Sequence, residues 1–515
     1  MRRRRRALVP WLVAAGAACA EGSPGTSIIN ARILDGSGGA AVSGTVRIVG
    51  DTIVAAGADV RAARGDTVID AKGLVLAPGF IDTHSHHDGG LLAAGDARAA
   101  VSQGVTTIVA GQDGGHPIPL SATLDSLSRA PAAVNVAFYA GHGSIREVVM
   151  GDDFRRAATP VEVDSMVALL QRELDAGALG LSTGLEYDPG IYSQRSEVLR
   201  LALVAAAAKG RYISHIRSED RWFWDAIDEI ITIGREAKLP VQISHVKLAM
   251  VPLWGMADSL KETLDAARAA GVDVTADIYP YPYWQSTLTV LFPKRDFGNR
   301  REAEKVLREI ARPEGLRLGA YAPEPGYAGL TVAEIAALRH EDPAVTLMAL
   351  IRDAQQLRAR RRAGTVDEQV TGPVETVIAT SMDERDITAM MQWEHTNICS
   401  DGALDGAHPR GFGAFPRVLA KYVRAERALS LERAVRKMSA LSASHMGIVR
   451  RGAIAPGNFA DLVLFDPAAI QDRSTPDEPH LVSSGIARVW VNGSVVWDGA
   501  NVSGARPGRV LRRQP

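Results

Sequence analysis

The sequence predicts an α/β protein: a (β/α)8 TIM-like barrel carrying a small β-sandwich domain built from both chain termini. Two observations lead there. Between residues 76 and 446, short apolar runs alternate with longer helix-patterned stretches, the rhythm of βα units around a parallel sheet. At the two ends, residues 24–75 and 447–512, β-like runs are punctuated by turn pairs, Gly50-Asp51 and Asn492-Gly493, which mark hairpins. Strands at both ends need partners, so the ends are expected to meet.

Taken in order, residues 1–23 hold an arginine cluster, a short apolar run and small residues around Cys19, the anatomy of a secretory signal peptide, with a lipoprotein-type anchor at Cys19 as a variant. Export to the periplasm or the medium is the expectation, with no transmembrane segment in the mature protein. The first β-rich segment, TSIINARILDG and TVRIVGDTIVAAG, follows. In the barrel, SQRSEVLRLALVAAAAKG precedes RYISHI, WFWDAIDEIITIGREAKL precedes PVQISHV, and ADSLKETLDAARAAG precedes VDVTADIYPY. The Arg-rich stretch from about 292 to 374 breaks this rhythm and is expected to be an insertion above the barrel mouth. The chain closes with ADLVLFD and RVWVNGSVVWDG.

Composition narrows the function classes. The 515 residues, 46% hydrophobic and 23% charged, suit one large catalytic domain with a smaller companion. Lys plus Arg total 58 against 59 Asp plus Glu, so there is no basic footprint for nucleic acid. The two cysteines, Cys19 and Cys399, supply no disulfide framework.

The chemistry concentrates at the ends of predicted strands. LVLAPGFIDTHSHHD places His84 and His86 two residues apart, on one face of an extended segment. His215 ends RYISH, His245 ends VQISH, and Asp401 follows TNICS. A barrel gathers the C-terminal ends of its strands at one mouth, and imidazole with carboxylate is a donor set for Zn2+ rather than Mg2+ or Ca2+. One or two zinc ions are therefore expected. No GxSxG nucleophile motif is present.

The blocks PGFIDTHSHHD, GALGLSTGLEYDPG, YISHIRSE, QISHVK, DIYPY and SDG-x7-RGFG-x-FPRVL resemble those of the N-acyl-D-amino-acid deacylases (D-aminoacylases) of the amidohydrolase superfamily. The resemblance implies zinc-dependent hydrolysis of the amide bond of an N-acyl-D-amino acid, a small-molecule substrate. It implies that His84 and His86 serve one metal position, His215 and His245 the other, with Asp401 as the general base and acid. Where D-aminoacylases carry a cysteine ligand, this chain has Asp113. Glu186 resembles the bridging carboxylate of other amidohydrolases and is preferred here as the bridge. Lys247, Tyr281, Ser286 and Arg410 resemble contacts to the substrate carboxylate, and His142 and Arg217 are near-site residues without an assigned role. Other readings stay open: a D- or isoaspartyl-dipeptidase, a cyclic-amide hydrolase, or an exported binding protein without catalysis.

Overall fold

The computed structural model describes residues 23–365 and 372–514, so the expected leader lies outside the described residues apart from Ser23. Eight strands succeed one another around the barrel: Phe80–Asp82, Val105–Ala110, Asn135–Phe138 continuing in Ala140–Gly141, Gly180–Gly184, Arg211–His215, Val241–Ile243, Val274–Ile278 and Thr396–Ile398. Neighbouring strands pair in parallel. The ring closes just past the eighth strand, where the Asp401 amide donates to the His84 carbonyl at 2.8 Å and the His86 amide to that of Gly402 at 2.9 Å. All six residues of Val105–Ala110 are buried, which is why barrel strands read as continuous apolar runs: both faces are covered.

The helices outside the barrel begin and end on local signals. Pro160–Ala176 starts with proline in its first turn and a reciprocal capping box between Thr159 and Glu162, and stops at Gly177 with φ 113°. The return to the barrel at Gly180 is tight. A Cβ there would lie 1.9 Å from the Arg211 carbonyl oxygen, so Gly180→Ala must force the fourth and fifth strands apart. The expected cost is roughly 1–3 kcal/mol, read as a lower denaturation midpoint at unchanged m value. An unchanged midpoint would contradict this packing.

The two termini meet as expected. Thr26–Ile33, Val42–Val49, Thr52–Gly57, Thr67–Asp70 and Val75–Pro78 join Leu462–Phe465, Ile486–Val491 and Ser494–Trp497 in one eight-stranded system. The seam is the antiparallel pair Val75–Pro78 with Leu462–Phe465. Ile28, Val46, Ile53, Leu76, Leu462 and Trp490 form its separate hydrophobic core. Asn492 and Gly493 both have positive φ, 47° and 79°, the turn that matches strand twist in a two-residue hairpin. Beyond it the tail runs back to the barrel: Leu511 donates to the Val136 carbonyl and packs on the cluster of Val109, Tyr139 and Ile213.

The excursion between the seventh and eighth barrel strands is wider than the composition break from 292 to 374. It includes a three-stranded antiparallel sheet of Tyr283–Ser286, Glu375–Thr380 and Leu316–Tyr321, with helices Arg300–Glu309, Val332–Arg339 and Pro343–Arg362. Its first and last strands, YWQS and ETVIAT, lack the arginine bias that marks the interior, so composition misplaces both edges. Among the described residues no helix is long and apolar enough to cross a membrane.

Candidate metal centre

The functional residues lie at or just past the C-terminal ends of barrel strands. The first exits into Thr83-His84-Ser85-His86, and alternation along the extended chain points both imidazoles to one place. The second exits into Gly111-Gln112-Asp113-Gly114. Gly111 stands at φ 72°, where a Cβ would meet the Tyr139 carbonyl oxygen at 2.2 Å, and Asp113 itself has φ 53°. His245 and Asp401 are also left-handed, at φ 34° and 49°. Such backbone is costly for non-glycine residues and persists where the surroundings impose it, as at functional sites.

Two clusters result, and Asp113 belongs to both. The first joins His84, His86, Asp113 and Asp401; the second joins Asp113, His215 and His245. The Asp113 carboxylate lies 3.4 Å from Nε2 of each of His84, His86 and His245. Asp401 Oδ1 lies 3.3 Å from His86 Nε2 and 3.6 Å from His84 Nε2. His215 Nδ1 and His245 Nε2 are 3.1 Å apart. Glu186 sits differently: its Oε2 is 3.1 Å from His215 Nε2, in a third group with Glu219. The geometry thus puts Asp113, not Glu186, between the two histidine pairs, where a carboxylate bridging two metal positions would stand.

This donor set fits divalent zinc. Both ring nitrogens of fully buried His84 and the Asp113 Oδ1 have no hydrogen-bond partner, and buried polar atoms are rarely left so. The electrostatics agree. Burial works against charge on the His86 ring, yet Asp113 and Asp401 outweigh it and push its pKa up to about 10. Burial equally opposes charge on Asp113, but His84 and His245 hold it well below the usual carboxylate range. The pocket is built to hold positive charge among ionised carboxylates, and imidazole plus carboxylate is zinc chemistry.

The other expected residues divide. Arg410 makes a 2.7 Å ion pair with Asp401. Burial is overcome by that guanidinium and by His245 and His84, so the Asp401 carboxyl stays far below its ordinary range. Arg410 lines a chamber of about 180 Å³ with Gln285 and His408. Lys247 and Ser286 line a cavity beside the second cluster, but Lys247 is already engaged, 2.6 Å from Glu219 Oε1 and 2.7 Å from His245 Nδ1. Tyr281, expected at the substrate carboxylate, lines neither cavity and stacks against the Arg417 guanidinium instead. Its place in DIYPY does not show that its ring turns away. Arg217 is clamped by Glu229 through Nε and Nη2. His142 is buried against Glu197 at 2.8 Å. Neither reaches the centre.

Sequence reasoning missed Glu219 and Tyr187. Glu219 Oε1 is 3.1 Å from His245 Nδ1, a carboxylate behind a ligand imidazole that fixes its orientation; SHIRSE offered the hint, with an acid four residues after His215. Tyr187 borders three cavities at and beside the centre, and its ring lies 4.3 Å from that of His215.

The chain matches the model of the amidohydrolase family over residues 67–497. It is 37% identical to N-acyl-D-glutamate deacylase of Alcaligenes xylosoxydans xylosoxydans, covering 93% of this chain and 95% of the relative. It is 38% identical to that organism's N-acyl-D-aspartate deacylase, over 94% of each. Its structure superposes on D-aminoacylase with a TM-score of 0.82 at 33% identity, covering 95% of this chain and 99% of the other. It also superposes on N-acyl-D-glutamate deacylase of Bordetella bronchiseptica, complexed with zinc and a phosphonate inhibitor mimicking the tetrahedral intermediate, with a TM-score of 0.81 at 33% identity and the same coverage. The chain therefore belongs to the amidohydrolase family, within its branch of N-acyl-D-amino-acid deacylases.

Proposed function

We propose that the chain hydrolyses the amide bond of N-acyl-D-amino acids to a carboxylic acid and a free D-amino acid. The observation that carries this reading is the shared Asp113 carboxylate, flanked by two histidine pairs and facing the ionised Asp401. Residues His84 and His86 would hold one zinc, His215 and His245 the other, with Asp113 between them and Asp401 beside the first. The chemistry zinc supplies there is Lewis acidity, which polarises a carbonyl and lowers the pKa of water from about 15.7 towards about 7.

The protein's own residues do the rest. Asp401, ionised and close to His84 and His86, accepts the proton that the attacking water gives up and passes it to the departing amide nitrogen. Arg410, a planar bidentate donor set, offers its free edge to the carboxylate of the substrate. Lys247, neutralised by Glu219, holds that acid and His245 in place, while Ser286 contributes a hydroxyl to the cavity wall. Export through the 1–23 leader is part of the same proposal, resting on its arginine cluster and apolar run.

The test is a panel of paired N-acetyl-D- and N-acetyl-L-amino acids with zinc-loaded protein, following release of free amino acid. Turnover of D forms at least about 100-fold above L, a difference of about 2.7 kcal/mol in transition-state binding, is expected. Preference for L forms, or hydrolysis of cyclic amides alone, would overturn the reading.

A further inference from the structure

Outside the metal centre lies a second, larger chamber that the deacylase chemistry does not use. Its volume is about 540 Å³, against about 40 Å³ for the cavity beside the second cluster. The two share Tyr187, Ser286 and Val290 as common walls. The chamber is strongly cationic. Arg155, Arg295, Arg358 and Arg362 line it, with Asp188 as the one acid among its described walls.

Among the described residues, pairing offsets two of these charges and leaves Arg155 and Arg362 at the open side. Arg295 binds Asp188 through Nε and Nη2 at 2.9 and 2.8 Å. Arg358 binds the buried Glu375 through Nη2, while its Nη1 is buried without a partner. Arg155 and Arg362 are exposed, Arg155 lying over the Phe154 ring 4.6 Å from its centroid. Glu147 stands near enough to Arg362 to feel its charge. Arg358 and Arg362 sit one turn apart on the last turns of helix Pro343–Arg362, so they present to the same face.

We infer that this chamber receives the far end of an anionic acyl group, so that the substrates of the proposed deacylase include N-acyl-D-amino acids whose acyl chain ends in a carboxylate or a comparable anion. The inference rests on the deacylase reading. The other arms of the substrate have their own places. The α-carboxylate has Arg410, in a different chamber. The amino-acid side chain has the apolar wall of Trp284, Val290, Leu291 and Ile310 in the inner cavity. The acyl arm is the one left to pass Tyr187 and Ser286, and an acetyl group would leave a chamber of this size empty.

The experiment compares N-glutaryl-D-leucine with the same molecule carrying a terminal carboxamide, using zinc-loaded full-length protein, with N-acetyl-D-leucine as reference. The expected kcat/KM ratio of carboxylate to carboxamide is about tenfold or more at low salt, carried by KM and shrinking as ionic strength rises. In an Arg155→Gln/Arg362→Gln double variant that ratio should fall towards one. Equal rates for the two compounds, a ratio the variant does not change, or a charge preference found with N-acetyl-D-glutamate over N-acetyl-D-glutamine but not on the acyl arm, would overturn the inference. If N-acetyl-D-leucine and its relatives are not hydrolysed at all, the deacylase reading fails separately. Calorimetric binding of the same pair then decides the chamber: tighter carboxylate binding that the variant abolishes supports an anion site, and equal binding rejects it.

Discussion

Asp401→Asn is expected to lower kcat by about 10³-fold while leaving zinc bound. The substitution keeps the shape and one oxygen of the side chain but removes the charge of a carboxylate whose Oδ1 faces His86 and whose Oδ2 faces Arg410. Arg410 then loses its partner at 2.7 Å, so a modest change in KM should accompany the loss of turnover. Because Asp113, His84 and His86 remain, metal analysis should still find zinc. A variant that retains most of its activity would remove Asp401 from the proton path. One that loses its zinc along with its activity would make Asp401 a ligand first and a proton carrier only by implication.

Asp113→Ala should have the larger effect on the metal itself. Its carboxylate is the group common to the two clusters, and removing it leaves the histidine pairs without the negative charge between them. Outer partners of zinc ligands typically contribute about 10- to 100-fold in affinity, and a shared inner carboxylate should exceed that. The expected result is a drop in zinc stoichiometry and a chelator competition curve shifted by well over about 100-fold. Glu186→Ala serves as the contrast. Glu186 touches His215 alone among the four histidines, so its removal should weaken the second position and spare the first. If Glu186→Ala empties both positions while Asp113→Ala spares them, the bridge is Glu186 after all.

The centre was legible in sequence where strand periodicity carries the information. His84 and His86 share a face by alternation, and His215, His245 and Asp401 each follow an apolar run that could be recognised as a strand. The place of Asp113 between the histidine pairs was not legible because it lies in a glycine-rich loop with left-handed backbone, where no periodicity says which way a side chain points. Lys247 lines the cavity, but Glu219, which neutralises it, comes from another strand's exit, and such pairings are visible only once the barrel is closed. Tyr281 shows the converse: a motif match fixes a position, whereas the cation above its ring decides where it faces. In the fold, the hairpin at Asn492-Gly493 and the union of the termini followed from turn chemistry and unpaired edges. The excursion's outer strands escaped notice because isolated four- to six-residue apolar runs read alike inside and outside a barrel.

Anomalous diffraction at the zinc edge, from crystals grown with the metal, shows whether His84, His86, His215, His245, Asp401 and Asp113 assemble around zinc. Peaks within about 2.0–2.2 Å of donor atoms from His84, His86 and Asp113, and from Asp113, His215 and His245, are the predicted result. Zinc found only elsewhere on the protein, or no bound zinc at all, would contradict the account.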